Sequence, residues 1–409
     1  MKNLFPPALR NALKVKNAGV VYALGILVIT LSVISQNTGN GTYLTPINTA
    51  NILDQSALIG LLAIATTVVL ITGNFDLSIG SNAALSAVVF IQVMNHHGPA
   101  VGFIAALGVG LGVGIFNSVM IEIVGINAFI VTLATLTAAR GAILPLTQSQ
   151  TVQANTNSLS AWTNNSWTTP NIYLVGAVLL MAAAALVFAR RSRTSVPVLA
   201  VVCAAAGVVS LVVSFVANTQ ITLSRPSWYM LIMATGVGFV LTWTIVGRRL
   251  FAVGGNAVAA RLMGIRVRRY KMLPFVFSAL TSSFVGVLFA SRLGAVDPNA
   301  MTGWELTAIA AAILGGTSLF GGAGSAFKSV VGALILAVLT NGFNILNVGA
   351  QWQQMVQGFV ILAAAGTYTV AARRAALHAH GPKDDAPTAP EPVLTAHRPD
   401  AALTEAALS

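Results

Sequence analysis

The chain contains 409 residues, of which 56% are hydrophobic and only 8% are charged. A soluble domain carries about 25% charged residues, so this chain cannot cover a water-facing surface and lipid must be its main solvent. The net charge of +12 does not indicate a nucleic-acid-binding protein, because the basic residues form short clusters between apolar runs instead of one exposed face. The composition therefore predicts an all-α, polytopic membrane protein that contacts lipid and no nucleic acid.

Twelve apolar segments approach the roughly 20 residues that a helix needs to cross the hydrocarbon core. The tenth is short and interrupted by glycine, so it either crosses the membrane or re-enters on the same side. A short polar link at 74–78 joins the second segment to the third. The twelve predicted transmembrane helices are centred on Ile26, Ile64, Ala87, Val109, Thr135, Leu180, Ala206, Thr235, Phe284, Ala311, Leu334 and Leu362.

The positions of Lys and Arg predict the orientation, since cytoplasmic loops carry an excess of both. If the N-terminus and the C-terminus are cytoplasmic, the basic clusters at 190–193, 248–271 and 373–374 all face the cytoplasm. The outer segment at 147–170 then contains no Lys, Arg, Asp or Glu. The opposite orientation would place nearly all of the basic residues on the wrong side.

Composition also divides the chain along its length. The last residues hold five of the ten acidic residues and five prolines without apolar periodicity, which predicts disorder. The predicted divisions are a cytoplasmic N-terminal segment at 1–17, a transmembrane domain at 18–374 and a disordered cytoplasmic tail at 375–409. Within the domain lie an extra outer loop and hairpin at 148–225 and a cytoplasmic segment at 247–273.

Two glycine-containing segments repeat one pattern. The sequences at 71–80 and 313–322 share I-x-G-x-x-x-L-x-x-G, and both follow a span that runs toward the cytoplasm. Transporters are often built from duplicated halves with broken helices at corresponding positions. The agreement indicates either such a duplication or a chance match of common residue types.

No pattern in the sequence indicates catalysis. The segment 322–329 is close to a phosphate-binding loop, but Phe327 stands where a glycine must let the backbone approach the phosphate. None of the five histidines pairs with a carboxylate at metal-ligand spacing. The single cysteine, Cys203, excludes an internal disulfide. We therefore predict a chain that is not an enzyme, with no metal site and no cofactor.

Two ionisable residues lie within or between predicted spans, where a charge is unfavourable unless it faces protein or water. Asp76 is either an exposed turn residue that caps the third span through Ser78, or part of a broken helix that lines a path. Arg140 either reaches the outer surface or lines the route. Asp54 and Glu122 are placed at span ends, so no carboxylate is predicted at mid-span and an ion-coupled secondary transporter is disfavoured.

A separate short helix is predicted in the cytoplasmic segment. Asn256 is a favourable N-cap, and Gly264 is a favourable C-terminal stop with positive φ. Val258 and Leu262 form an apolar pair at i, i+4, and Pro274 is expected to open the next span as a first-turn residue. The helix either lies in a groove of another protein or rests on anionic headgroups, and its periodicity does not separate these alternatives.

Five motifs in a fixed order carry a resemblance to a known family. They are TGNFDLSIGS at 72–81, NAFIVTLAT at 127–135 with Arg140 and Gly141, FAVGGNAVAARLMGI at 251–265, AIAAAILGGTSLFGGAGS at 308–325, and NGFNIL at 341–346 with QWQQ at 351–354. In this order they resemble the permease subunits of sugar-type ABC importers, the ribose, xylose and galactose systems. The family usually has Gly at Asn74 and Ser or Thr at Phe320. The extra segment 148–225 is similar to the D-xylose permeases, which favours a pentose.

The resemblance implies a division of labour in the cell (inner) membrane. Two permease copies form the path, a cytoplasmic ABC ATPase subunit hydrolyses ATP, and a periplasmic or lipid-anchored sugar-binding protein delivers the substrate. The alternatives are a ribose- or multiple-sugar-type permease and, less favoured, an ion-coupled secondary transporter. The residues implied to contact the ATPase are Gly254, Gly255, Asn256, Ala260, Arg261, Leu262 and Gly264. Because sugars are neutral, hydroxyl and amide groups are expected along the path. With the two ionisable residues considered above, the expected path residues are Asn74, Asp76, Ser78, Thr132, Thr135, Arg140, Asn341 and Asn344.

Overall fold

The computed structural model describes residues 15–39, 41–155 and 224–349, with scattered positions between 352 and 366. Within these ranges the chain is almost entirely helical. The helices are α1 (Val15–Asn37), α2 (Pro46–Ile71), α3 (Ile79–His97), α4 (Pro99–Val119), α5 (Ala128–Thr147), α6 (Arg225–Trp243), α7 (Ile245–Gly255), α8 (Ala257–Leu262), α9 (Val267–Leu293), α10 (Trp304–Leu314) and α11 (Ala326–Ile345). A π-helical turn, Met120–Val124, continues α4.

Six of the described helices are long and apolar enough to cross a membrane, which confirms a multi-pass membrane protein. Helices α6 and α7 meet that criterion only as a pair, bent by 74° at the break between them. The six segments are Gly19–Asn37, Pro46–Ile71, Pro99–Val124, Ala128–Thr147, Val267–Leu293 and Ala326–Ile345. Nine of the twelve predicted centres fall on described helices. The total of twelve spans and the side of each terminus remain predictions.

Several sequence expectations fall on other parts of the chain. The predicted centres Leu180 and Ala206, most of the hairpin at 148–225 and the whole tail at 375–409 lie outside the described residues. The centre Leu362 falls among the scattered described positions. At the N-terminus α1 already begins at Val15, so the helix reaches into the segment 1–17 that was expected to precede it.

The tenth predicted segment is a short helix, as its glycines indicate. Helix α10 has 11 residues, which span about 16 Å at a rise of 1.5 Å per residue. This is about half of the roughly 30 Å hydrocarbon core. Gly303 precedes the helix and Gly315 caps its C-terminus, so the chain enters and leaves the helix at glycines.

The two ends of the helix bundle differ, and we name them by their contents. At the ribbon end, β1 (Val152–Gln153) follows α5 and pairs antiparallel with β2 (Ala295–Val296), which follows α9. Near the end of α3, Asn95 Nδ2 donates to Gln153 O at 2.8 Å. At the opposite end, the glycine end, Ile71 at the end of α2 meets Gly322 before α11. Successive long helices therefore run antiparallel between the two ends.

Helix α2 is the centre of the described bundle and packs against α6, α9, α10 and α11. Sixteen of its residues are buried, including Leu61, Leu62 and Ile64 at 0% exposure. Small polar side chains join the neighbouring helices, as is common in membrane bundles. On the α3–α9 interface, for example, Ser86 Oγ and Ser283 Oγ lie 2.8 Å apart. The core is therefore apolar along α2 and partly polar where α3 meets α9.

One predicted boundary near the cytoplasmic segment is wrong. Pro274 was expected in the first turn of the ninth span, but α9 begins at Val267, so the proline lies inside the helix. The basic residues Arg268, Arg269 and Lys271 therefore belong to the first turns of α9 and not to a preceding loop. Helix formation extends this far because Pro274 removes only one N–H donor, and the chain before it remains free to be helical.

Candidate functional site

Helix α8 begins and ends as its local sequence predicts. The backbone of Asn256 is extended at φ −158° and ψ 99°, and its Oδ1 accepts a hydrogen bond from Ala259 N at 2.9 Å. At the other end Gly264 adopts the left-handed region at φ +77°. Its N–H donates to Arg261 O at 3.0 Å, the usual way to end a helix with glycine. The predicted cap and the predicted stop are both confirmed.

One face of α8 is packed and the other is exposed. Ala260 is buried at 4% exposure and packs with one valine from α7 and one from α9. In contrast, Val258, Leu262 and Met263 are 71%, 83% and 82% exposed. A cluster of exposed large apolar side chains marks a surface that contacts another molecule. We call these three residues the α8 face.

Basic residues lie close to this face along the chain. Arg261, Arg266, Arg268 and Arg269 are exposed. Among the described residues one ion pair lies within 4.0 Å, and it joins Lys271 of α9 to Glu122 of the π-helical turn at 3.9 Å. The segment that carries the α8 face therefore has an excess of positive charge.

Backbone contacts join three segments beside α8. Gly322 N donates to Ile71 O, at the end of α2, at 2.9 Å. Gly254 of α7 lies against the same carbonyl, and a Cβ atom there would be only 1.7 Å from Ile71 O. A Cβ atom on Gly321 would lie 2.7 Å from Gly254 O and 3.0 Å from the Cα of Gly73. We call these five residues the glycine junction, because a side chain on Gly254 or Gly321 would collide with the backbone of a neighbouring segment.

The two glycines before Asn256 are therefore not equivalent. A Cβ atom on Gly255 would meet nothing within 4 Å, whereas there is no room for a Cβ atom on Gly254. The chain bends by 74° between α6 and α7, at Thr244. The sequence did not predict α7 as a separate helix, although Thr244 was a recognisable N-cap whose Oγ1 accepts from Gly247 N at 3.2 Å.

Side-chain hydrogen bonds hold the link between α2 and α3. Asp76 is 2% exposed. Its Oδ1 accepts from Ser78 N at 3.0 Å and from Ser78 Oγ at 2.6 Å, and its Oδ2 accepts from Ser278 Oγ at 2.7 Å. Asn117 Nδ2 then donates to Ser78 Oγ at 3.0 Å, and Thr135 Oγ1 donates to Asn117 Oδ1 at 2.6 Å. One buried network thus ties the link to α4, α5 and α9, and the interpretation of Asp76 as an exposed turn residue is wrong.

The other expected path residues lie apart from this network. Asn74 is in the same link, but its Nδ2 is buried and has no hydrogen-bond partner among the described residues. Thr132 Oγ1 donates to a carbonyl of its own helix at 2.8 Å. Toward the ribbon end, Asn341 Nδ2 donates to Asn48 Oδ1 at 2.8 Å, and Asn344 is exposed one turn further along α11. The eight expected residues do not form a single lining.

Arg140 contacts the loop before α10. Its Nη1 donates to Ala300 O at 2.7 Å, whereas its Nη2 is buried without a hydrogen-bond partner among the described residues. Glu305, in the first turn of α10, lies within electrostatic reach of this guanidinium, and its Oε2 is likewise buried and unpaired within the described ranges. Glu305 was not among the expected path residues, and its place in the first turn of α10 does not contradict the prediction of no mid-span carboxylate. An acidic residue in the first turn of a short apolar helix was the available signal.

Residues 48–365 match the family described as branched-chain amino acid transport system / permease component. This range contains α8, the glycine junction and the Asp76 network. The chain belongs to this permease family. It is therefore a membrane transport subunit and not an enzyme of its own, as the sequence predicted.

Several similar proteins match most of the chain. The xylose transport system permease protein XylH of Escherichia coli (strain K12) is 32% identical over 364 residues, which are 87% of this chain and 93% of that protein. The ribose import permease protein RbsC of the same strain is 31% identical over 343 residues, which are 84% of this chain and 90% of that protein. That of Bacillus subtilis (strain 168) is 32% identical over 352 residues, covering 85% and 90%. No solved structure matches the chain.

Proposed function

We propose that this chain is the membrane-spanning permease subunit of an ATP-binding-cassette importer that moves a monosaccharide, with D-xylose or another pentose as its substrate. It acts as a homodimer in the cell (inner) membrane, with its termini in the cytoplasm. A separate cytoplasmic ATPase subunit and an external sugar-binding protein complete the transporter. The relatives named for xylose and ribose import support the substrate class, and the extended outer segment at 148–225 favours xylose.

The observation that carries the proposal is the α8 face. A permease that cannot hydrolyse ATP must receive force from its ATPase through a rigid contact. Helix α8 has the required form, because the buried Ala260 fixes it to α7 and α9 while Val258, Leu262 and Met263 remain exposed. The glycine junction lies directly behind it. Movement of α8 is therefore passed to α2 and to the segment before α11.

The alternative role, an anchor on lipid headgroups, fits α8 less well. Six residues make a helix about 9 Å long, which offers little apolar area, and binding to the membrane interface scales with that area. An anchor also has no need of the close contacts between Gly254 and Ile71. We infer that the segment from Gly254 to Gly264 docks on the ATPase, with Leu262 and Met263 at the centre.

The test is transport by the reconstituted complex. Proteoliposomes that contain the permease, its ATPase and its sugar-binding protein should take up radiolabelled D-xylose only when ATP is present. Gly264→Val should remove both uptake and sugar-stimulated ATP hydrolysis while membrane abundance stays normal, because a β-branched residue is strained at φ +77°. Uptake driven by a proton gradient without ATP would refute the proposal. Uptake at the wild-type rate by Gly264→Val would leave α8 as a lipid anchor only.

A further inference from the structure

A cavity of about 490 Å³ lies at the ribbon end, between α2, α9, α10 and α11. This volume is within the roughly 300–1,000 Å³ of small-molecule sites. The network around Asp76 does not reach it. Of the expected path residues, only Asn344 lines it among the described residues. The lining residues that matter for recognition are Gln55, Phe289, Arg292, Trp304, Thr307 and Asn344.

Two aromatic rings form part of the wall. Phe289 and Trp304 lie edge to face, with ring centroids 5.5 Å apart and planes at 88°. This is a favourable arrangement that fixes both rings in place. A sugar ring has an apolar face of C–H groups, and a fixed indole provides a rigid surface against which that face can pack. The wall therefore suits a ligand that is partly apolar and flat.

The polar groups in the lining suit hydroxyls. The side-chain amides of Gln55 and Asn344 each carry both a donor and an acceptor, and Arg292 carries five donors. Thr307 Oγ1 donates to Gly303 O at 3.1 Å and keeps its acceptor capacity. Neighbouring hydroxyls of a sugar likewise donate and accept. The combination matches a polyol better than it matches a purely apolar ligand.

The charges in the lining separate a sugar from an amino acid. Branched-chain amino acids carry an ammonium group, which needs a carboxylate or several carbonyl oxygens when it is buried. Within the described part of the chain, no Asp or Glu lines this cavity. Arg292 alone would attract the carboxylate of an amino acid and leave its ammonium group unpaired. A neutral ligand avoids this penalty.

We propose that this cavity is a binding site for a monosaccharide on its way through the permease. The inference rests on the proposed function and extends it by naming the site. The segment from Trp304 to Gly322 joins this cavity to the glycine junction, because Trp304 lines the cavity and Gly322 contacts Ile71 at 2.9 Å. Movement of α8 would thus be passed through one continuous segment to the wall of the sugar site.

The experiment uses the assembled transporter in lipid nanodiscs, with Cys203→Ser as the background because Cys203 is the only cysteine. Thr307→Cys should react with a membrane-impermeant thiol reagent. The reaction should slow about tenfold when D-xylose is present at ten times its Kd, since about one site in eleven then remains free. L-leucine should give no protection. Asn299→Cys, in the exposed loop before α10, is the matched control and should react at one rate with or without sugar.

The outcomes separate this site from the proposed function. Intact ATP-driven uptake by the Cys203→Ser complex, with no protection of Thr307→Cys by D-xylose, D-ribose or D-galactose, would show that sugar binds elsewhere and would overturn the site. Protection by L-leucine but not by sugar would overturn the assignment of the ligand. Trp304→Leu should raise the KM for sugar, and Trp304→Phe should restore part of the affinity. An unchanged KM in Trp304→Leu would also contradict the proposal.

Discussion

The two ends of the bundle are held together by different kinds of contact. At the glycine end, backbone meets backbone: Gly322 N donates to Ile71 O at 2.9 Å, and Gly254 lies so close that it excludes a side chain. At the ribbon end the backbones of β1 and β2 also pair, but here exposed side chains bridge separate segments as well, as Asn95 Nδ2 does to Gln153 O at 2.8 Å. The exposed apolar α8 face lies at the first end, and the 490 Å³ cavity lies at the second.

This difference bears on how each end responds to force. A backbone contact between glycines has no side-chain rotamer that could absorb a displacement, so one segment must move with the next. Side-chain amides at a wet surface can exchange one partner for water at little free-energy difference. The glycine end is therefore suited to pass on movement, and the ribbon end is suited to open and close around a ligand. Two-state transport needs both properties.

The largest effect is expected at the glycine junction. In Gly254→Ala the new Cβ would lie 1.7 Å from Ile71 O, so α7 must move away from α2. Overpacking of this kind disfavours the native arrangement by about 1–3 kcal/mol or more, which corresponds to about a 5- to 150-fold loss of coupling between the ATPase and the path. ATP-driven uptake in proteoliposomes measures the loss.

Gly255→Ala is the matched control for this prediction. The neighbouring glycine has open space around its Cβ position, so uptake and membrane abundance should both stay near the wild-type values. Uptake at the wild-type rate by both variants would contradict the importance of the junction. If both variants instead lost uptake, Gly255, which the resemblance also assigns to the ATPase contact, would be required as well.

An intermediate effect is expected from the buried network that anchors the glycine end. Asp76→Ala leaves the hydroxyls of Ser78 and Ser278 without their acceptor, a change of about 1–3 kcal/mol in stability. Thr135→Val removes one bond at the far end of the same network, of 2.6 Å to Asn117, and should be milder. Thermal unfolding of the purified protein in detergent compares the two variants. A larger effect from Thr135→Val would show that Asp76 is not the centre of the network.

Local features of the chain were predictable from the sequence, and long-range contacts were not. The N-cap Asn256 and the left-handed Gly264 follow from residue types within one short segment, and both are confirmed. The meeting of Ile71, Gly254 and Gly322 joins residues far apart in sequence, and no periodicity reports such a contact. The repeated pattern at 71–80 and 313–322 indicated related segments, and it is these two segments that meet.

The burial of polar residues was the other feature that could not be predicted from the sequence. Of the two alternatives for Asp76, the exposed turn residue is wrong because Ser78 and Ser278 enclose its carboxylate. The expected path residues were chosen mainly for their hydroxyl and amide groups, and among the described residues Asp76 and Ser78 are the only two of the eight that hydrogen-bond to each other. Trp304 and Arg292 were missed because an aromatic ring and a charge at helix ends resemble ordinary membrane-interface residues.

The smallest effect is expected at the ribbon end. Tyr43, in the loop before α2, is 2% exposed, and its hydroxyl donates to Val338 O at 3.1 Å. Tyr43→Phe keeps the packing and removes one hydrogen bond, so stability in detergent should fall by only about 0.5–1.5 kcal/mol.

Burial raises the pKa of Tyr43 to about 12, above the usual value of about 10. The folded state therefore favours the neutral phenol. The contribution of this preference to the free energy of unfolding is complete below about pH 10 and is lost as the pH rises toward 12. Unfolding measured from pH 8 to 11 should show a steeper loss of stability in the wild type than in Tyr43→Phe. If Tyr43→Phe lowered the stability in detergent as much as Gly254→Ala does, the ribbon end would be as rigid as the glycine end. The distinction between the two ends would then fail.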